Sequence, residues 1–146
     1  MDGVEGRDGV FVMAATSRPD LVDVALLRPG RIDKAVICNF PSLDDRKEII
    51  SIYLKKFNFR EEVSKLQLDQ FISDLAYKTH HFTSADLKGL IQNAQLARMS
   101  EFIRENSDKT DGAEFGINRA DIEQTFQTFV KGMSQQEIRR FEEIYR

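Results

Sequence analysis

The chain has 146 residues, enough for one domain or one and a part, and its 41% hydrophobic and 31% charged content suits a helix-rich globular protein. A net charge of −3 argues against bulk nucleic-acid binding, which needs a basic footprint, and no apolar run approaches the roughly 18 residues of a membrane span. The single Cys38 excludes an internal disulfide and fits a reducing compartment, so a cytoplasmic location is expected.

Residues 1–9 hold Gly3, Gly6 and Gly9 among charged residues, the composition of an exposed loop. Residues 10–15 form a nearly unbroken apolar run of strand length that ends in Thr16 and Ser17. Residues 34–40 form a second such run, stopped by Pro41. Both read as strands covered on two faces in a parallel sheet. Cys38 sits inside the second run and is expected to be a buried, inert thiol.

Between the runs, Arg18-Pro19-Asp20 breaks the chain, because proline fixes its own φ and pushes its predecessor out of helical space. Asp23 is placed to cap a short apolar turn over Val24, Ala25, Leu26 and Leu27. Arg28-Pro29-Gly30-Arg31 then ends it: proline stops the helix and glycine permits a sharp reversal. Two guanidiniums on a stiff corner can meet a phosphate or carboxylate with forked donors at low entropic cost. A corner held by salt bridges is the alternative, and spacing alone leaves both open.

After Pro41 the pattern becomes helical. Ser42 or Asp44 is placed to cap a helix over residues 46–57 with an apolar stripe of Ile49, Ile50, Tyr53 and Leu54. Residues 59–68 read as a charged linker with room for a short helical turn. A second helix over about residues 68–78 buries Leu68, Phe71, Ile72, Leu75 and Ala76. Thr79-His80-His81-Phe82-Thr83-Ser84 breaks it, and Thr83 or Ser84 opens a third helix to about residue 105, carrying Leu87, Leu90, Ile91, Ala94, Leu96 and Ala97. Residues 107–116 have the composition of a mobile loop. Asn118 caps a fourth helix with Ile122, Phe126 and Phe129, ended by Gly132. Ser134, with Glu137 at capping-box spacing, opens a last one with Ile138, Phe141, Ile144 and Tyr145 on one side.

Little here supports chemistry held entirely within the chain. His80 and His81 lack a cysteine or second histidine pair, so no metal site is expected. No Ser-His-Asp or Cys-His set can be placed, and there is neither a Gly-x-x-x-x-Gly-Lys-Ser/Thr loop nor an apolar strand ending in Asp-Glu.

The stretch of residues 14–34 resembles the second region of homology of AAA ATPases. That region usually reads Ala-Thr-Asn-Arg-Pro-Asp, two variable positions, Asp, then Ala-Leu-Leu-Arg-Pro-Gly-Arg and Asp. Matches fall at Thr16, Arg18, Pro19, Asp20, Asp23, Ala25 to Arg31, and Asp33. The helical break resembles the family's Thr-x-Gly-Phe-Ser-Gly-Ala-Asp-Leu, with His81 in place of a glycine and Ser84-Ala85 in place of the Gly-Ala pair.

The resemblance implies an α/β remnant plus an α-helical bundle. Residues 1–41 would be the end of the α/β subdomain with two strands, residues 42–131 a four- to five-helix lid, and residues 132–146 a C-terminal helix. The glycine-rich start matches a loop that faces the ring pore, which leaves Met1 open as an internal methionine.

For the site, the resemblance implies that Arg28 and Arg31 act in trans as arginine fingers and that Ser17 stands at the γ-phosphate sensor in place of the usual Asn. Ile49, Tyr53, Ser84 and Ala85 would line the nucleotide, with plain core packing the alternative for Ile49 and Tyr53. ATP is the implied cofactor, with Mg held by residues outside this chain, so the isolated chain is expected to be inactive.

Together with Asn93-Ala94-Gln95-Leu96, Ala15-Thr16-Ser17-Arg18-Pro19-Asp20 is similar to the peroxisome-biogenesis branch of the family. That branch implies a hetero-hexamer with a second AAA protein, a ubiquitinated import receptor as cargo, and peripheral attachment to the peroxisomal membrane through a partner. Another tandem-AAA unfoldase or segregase, and a non-enzymatic helical interaction module, remain the alternatives.

Overall fold

The computed structural model describes residues 11–57, 59–60, 64–105 and 115–144. They divide into two compact units, one holding residues 11–39 and 141–144, the other Phe40–Arg140. The glycine-rich start and most of the expected loop at 107–116 lie outside the described residues.

In the first unit, the expected strands do not appear among the described residues: 11–15 and 34–39 run without a ladder partner. A strand exists through its neighbours' hydrogen bonds, and an apolar run without them cannot bury either face. Phe11, Met13 and Val36 accordingly remain 97%, 98% and 87% exposed. Cys38, expected in the interior, is exposed for the same reason.

The turns between the runs follow the sequence closely. Short 3-10 helices span Pro19–Leu21 and Val24–Leu27, and Asp23 caps the second by accepting from the Ala25 N–H at 2.8 Å. Ile32 N–H donates back to Leu26 O at 3.0 Å, closing the stretch into a compact corner.

Five α-helices follow: α1 Leu43–Lys56, α2 Lys65–Lys78, α3 Ser84–Glu105, α4 Arg119–Thr128 and α5 Gln135–Ile144. Each opens with a reciprocal capping box, in which the cap side chain accepts from the N–H three residues on and that residue's side chain accepts from the cap N–H. The pairs are Ser42 with Asp45, Ser64 with Gln67, Thr83 with Asp86, Asn118 with Asp121, and Ser134 with Glu137.

α2 thus starts at Lys65 rather than near Leu68, because Ser64 supplies a cap inside the stretch expected as linker. α4 stops at Thr128, before Gly132, with Phe129 as its C-cap.

In the second unit, α1 packs on α2 and α3, and α3 packs on α4. Their faces bury Ile50 and Leu54, then Phe71, Ile72, Leu75 and Ala76, then Leu87, Leu90, Ile91 and Ala94, with Ile122 from α4. Ile117 joins this core from an isolated parallel bridge to Phe59, fixed by the Arg60 N–H donating to Ile117 O at 2.8 Å. Among the described residues no helix is long and apolar enough to cross a membrane.

Candidate functional site

The arginine corner is built by a reverse turn. Arg31 N–H donates to Arg28 O at 3.1 Å across Pro29 and Gly30, and Gly30 has φ 85°. Proline followed by a residue at positive φ is the signature of a type II turn, in which a side chain at the second position would be strained. The corner leaves Arg28 exposed. Arg31 is half-buried, and its Nη1 donates to Ala25 O at 2.9 Å, so its guanidinium lies over the preceding 3-10 turn. Ser17 is exposed beside Thr16, whose Oγ1 accepts from the Arg18 N–H.

The helical unit carries the other expected residues, but not all at one end. Arg46 Nε donates to Ala76 O, which brings the start of α1 to the end of α2, and the short turn to α3 places Ser84 and Ala85 near by, whereas Ile49 lies midway along α1 and Tyr53 in its last turn. Ile49 and Tyr53 are half-buried on α1 and pack against the core, and the Tyr53 ring stacks on Phe57 with centroids 6.1 Å apart. Core packing therefore holds for both side chains, and each keeps an accessible part.

Ser84 and Ala85 are exposed on the first turn of α3. The capping box takes up the Asp86 N–H, and the geometry of a helix start leaves those of Ser84 and Ala85 without an intrahelical acceptor. Two small side chains over open N–H donors fit the polar edge of a base or an anion. Among the described residues, no group of three or more His, Cys, Asp or Glu gathers as a metal site.

His81, which stands where the resemblance has glycine, holds φ 62°. The backbone therefore keeps the left-handed turn that glycine favours, and histidine tolerates it better than a β-branched residue would. Its ring lies 3.9 Å from that of His80 and 5.8 Å from that of Phe40, centroid to centroid.

Asp86 does more than cap. Its Oδ2 accepts from the Thr83 hydroxyl and N–H at 2.7 and 2.9 Å, while Oδ1 accepts from the Gly132 N–H at 2.7 Å. Burial pushes the carboxyl pKa up, but the hydrogen bonds from Thr83 and Gly132 with the Lys131 charge outweigh it and hold the value below the usual range. A Cβ on Gly132 would stand 3.2 Å from Asp86 Oδ1, so glycine permits the close approach.

Sequence reasoning missed two features of this end, the bond from Gly132 and the buried Arg46. Arg46 lies in helical register with Ile50 and Leu54, and a charge on an apolar stripe is the signal that it must reach a partner inside.

Residues 69–112 match the model of the AAA+ lid domain. These residues carry an AAA+ lid domain. The lid lies within a region similar to proteins named peroxisomal ATPase PEX1. The Dictyostelium discoideum protein is 45% identical over 103 residues, covering 70% of this chain and 8% of that protein. The Homo sapiens protein is 48% identical over 96 residues, covering 66% and 7%. The Saccharomyces cerevisiae protein is 45% identical over 105 residues, covering 70% and 10%. The chain thus spans about a tenth of the length of these relatives.

Proposed function

We propose that the chain is the C-terminal part of a second ATPase domain of peroxin-one type. On this reading residues 1–41 end the α/β subdomain and carry the second region of homology, residues 42–131 form the lid, and residues 132–146 add a C-terminal helix. The motor would work as a hetero-hexamer with peroxin six, peripheral on the peroxisomal membrane through a partner. It would couple ATP hydrolysis to extraction of the ubiquitinated import receptor, permitting further rounds of matrix-protein import.

The observation that carries the reading is the Arg28–Arg31 turn, whose proline and positive-φ glycine hold an exposed guanidinium on a rigid corner. Developing phosphoryl charge needs a fixed cation, and an arginine supplied from the next protomer makes hydrolysis depend on assembly. In this scheme Arg28 and Arg31 reach the neighbouring protomer's nucleotide, and Ser17 orients water or phosphate at the sensor position. Ile49, Tyr53, Ser84 and Ala85 flank the base. ATP supplies the phosphoryl group, and its magnesium is held by residues outside these 146.

The test is ATP turnover by the full-length protein assembled with peroxin six. Arg28→Ala with Arg31→Ala is expected to lower kcat about 10³-fold, the scale of a lost arginine finger. Turnover unchanged by the double substitution overturns the assignment.

A further inference from the structure

The scheme above makes no use of Arg46. The residue is 5% exposed, and among the described residues its guanidinium meets backbone carbonyls rather than a carboxylate. Nε donates to Ala76 O at 2.9 Å and Nη1 to Pro41 O at 2.9 Å. Burial pushes its pKa below the ordinary value, as expected of a cation with no counter-charge. Leucine on the same stripe would avoid that desolvation. What arginine adds is a planar fork that holds two distant points of backbone in one geometry.

The choice of carbonyls is informative. Ala76 lies in the last turn of α2, and its oxygen also accepts from Thr79 Oγ1 at 3.2 Å, so the fork engages the base of the α2 to α3 turn. Pro41 is the second residue of the helical unit, which begins at Phe40. Phe40 is anchored separately, its ring 5.8 Å from that of His81 in the strained turn before α3. Two independent contacts therefore fasten the first residues of this unit to the end of the bundle that carries Ser84 and Ala85 and the start of α1.

We infer that Arg46 is a positioning residue for the ATPase cycle: it locks the backbone at Pro41 to the start of α1 and the last turn of α2, so a nucleotide-dependent shift of this end of the bundle is delivered to the chain at Pro41. The inference rests on the motor reading. Without the fork, the same shift is absorbed by a loose segment between Phe40 and α1.

The experiment uses the full-length protein assembled with peroxin six. Arg46→Lys keeps the charge but puts all its donors on one nitrogen, which cannot stand at both the Nε and the Nη1 positions, so the two-point geometry is lost. It is expected to leave KM for ATP within about twofold and lower kcat about tenfold, because misplacement acts on turnover rather than on ground-state binding. The ATP-dependent amide-exchange protection over residues 42–48 is expected to be lost with it. Arg46→Met, which removes both donors, gives the same split or a larger one, and if it fails to fold the lysine variant decides.

A merely structural arginine would lower the thermal midpoint and the active fraction yet keep the exchange difference between nucleotide states; that result, or an unchanged kcat in Arg46→Lys, overturns the inference. Wild-type turnover separates the two levels. An assembly that hydrolyses no ATP removes the motor reading and this inference with it, whereas an active wild type with an indifferent Arg46→Lys removes the inference alone.

Discussion

A histidine at φ 62° is an uncommon residue in that conformation, and its position where the family pattern has glycine gives the strain a clear origin. The backbone turn between α2 and α3 is retained although the side chain opposes it. His81→Gly is expected to leave the urea midpoint of the chain unchanged or raised, since relief of strain offsets the lost ring contact with Phe40 and the added unfolded-state entropy. His81→Val, with branching at Cβ, is expected to cost about 1–2 kcal/mol. Equal losses in the two variants would contradict this account. The resemblance made the substitution legible in the sequence; the retained conformation needed the backbone.

At the scale of elements, Asp86 joins the start of α3 to the segment after α4. Asp86→Asn keeps the shape but turns an N–H₂ toward groups that themselves donate, so a loss of about 1–3 kcal/mol is expected at pH 7. The folded-state pKa lies below the unfolded value of about 3.9, so the contribution of the charged form is complete above that pH and disappears as pH falls through the folded value. Urea unfolding at pH 7 and pH 3 checks this: the gap between wild type and variant narrows at the lower pH, and a constant gap refutes it.

The helix starts were legible because a capping box is local chemistry, contained in four residues; Asn118 and Ser134 were readable from the sequence, while for α1 Ser42 and Asp44 both stood as candidates and the helix begins at Leu43 rather than 46. Ser64 was overlooked because its partner is Gln67, an amide in a stretch that composition marks as linker. The Arg46 bond to Ala76 crosses 30 positions and has no local signature beyond a charge on an apolar stripe. The runs around Phe11 and Val36 show the opposite failure: their composition is that of strands, but a strand needs a neighbour that propensity cannot supply.

For the molecule as a whole, the described residues hold one well-formed body, the helical unit with its own core, and a second unit whose apolar runs stay uncovered. Open N–H donors at Ser84 and Ala85 can meet one edge of a nucleotide, and among the described residues no phosphate-cradling loop stands beside them. Titration calorimetry of the isolated chain with ATP is therefore expected to give affinity weaker than the micromolar range. Micromolar binding would mean that the helical unit holds nucleotide by itself.

The five capping boxes also bear on how the helical unit reaches its structure. Each helix has its first residue specified before any distant segment has been met, so the conformational search narrows to the docking of short pieces whose beginnings are already chosen. Mostly local contacts of this kind belong to rapid folders, with little time spent as a sticky, half-assembled chain.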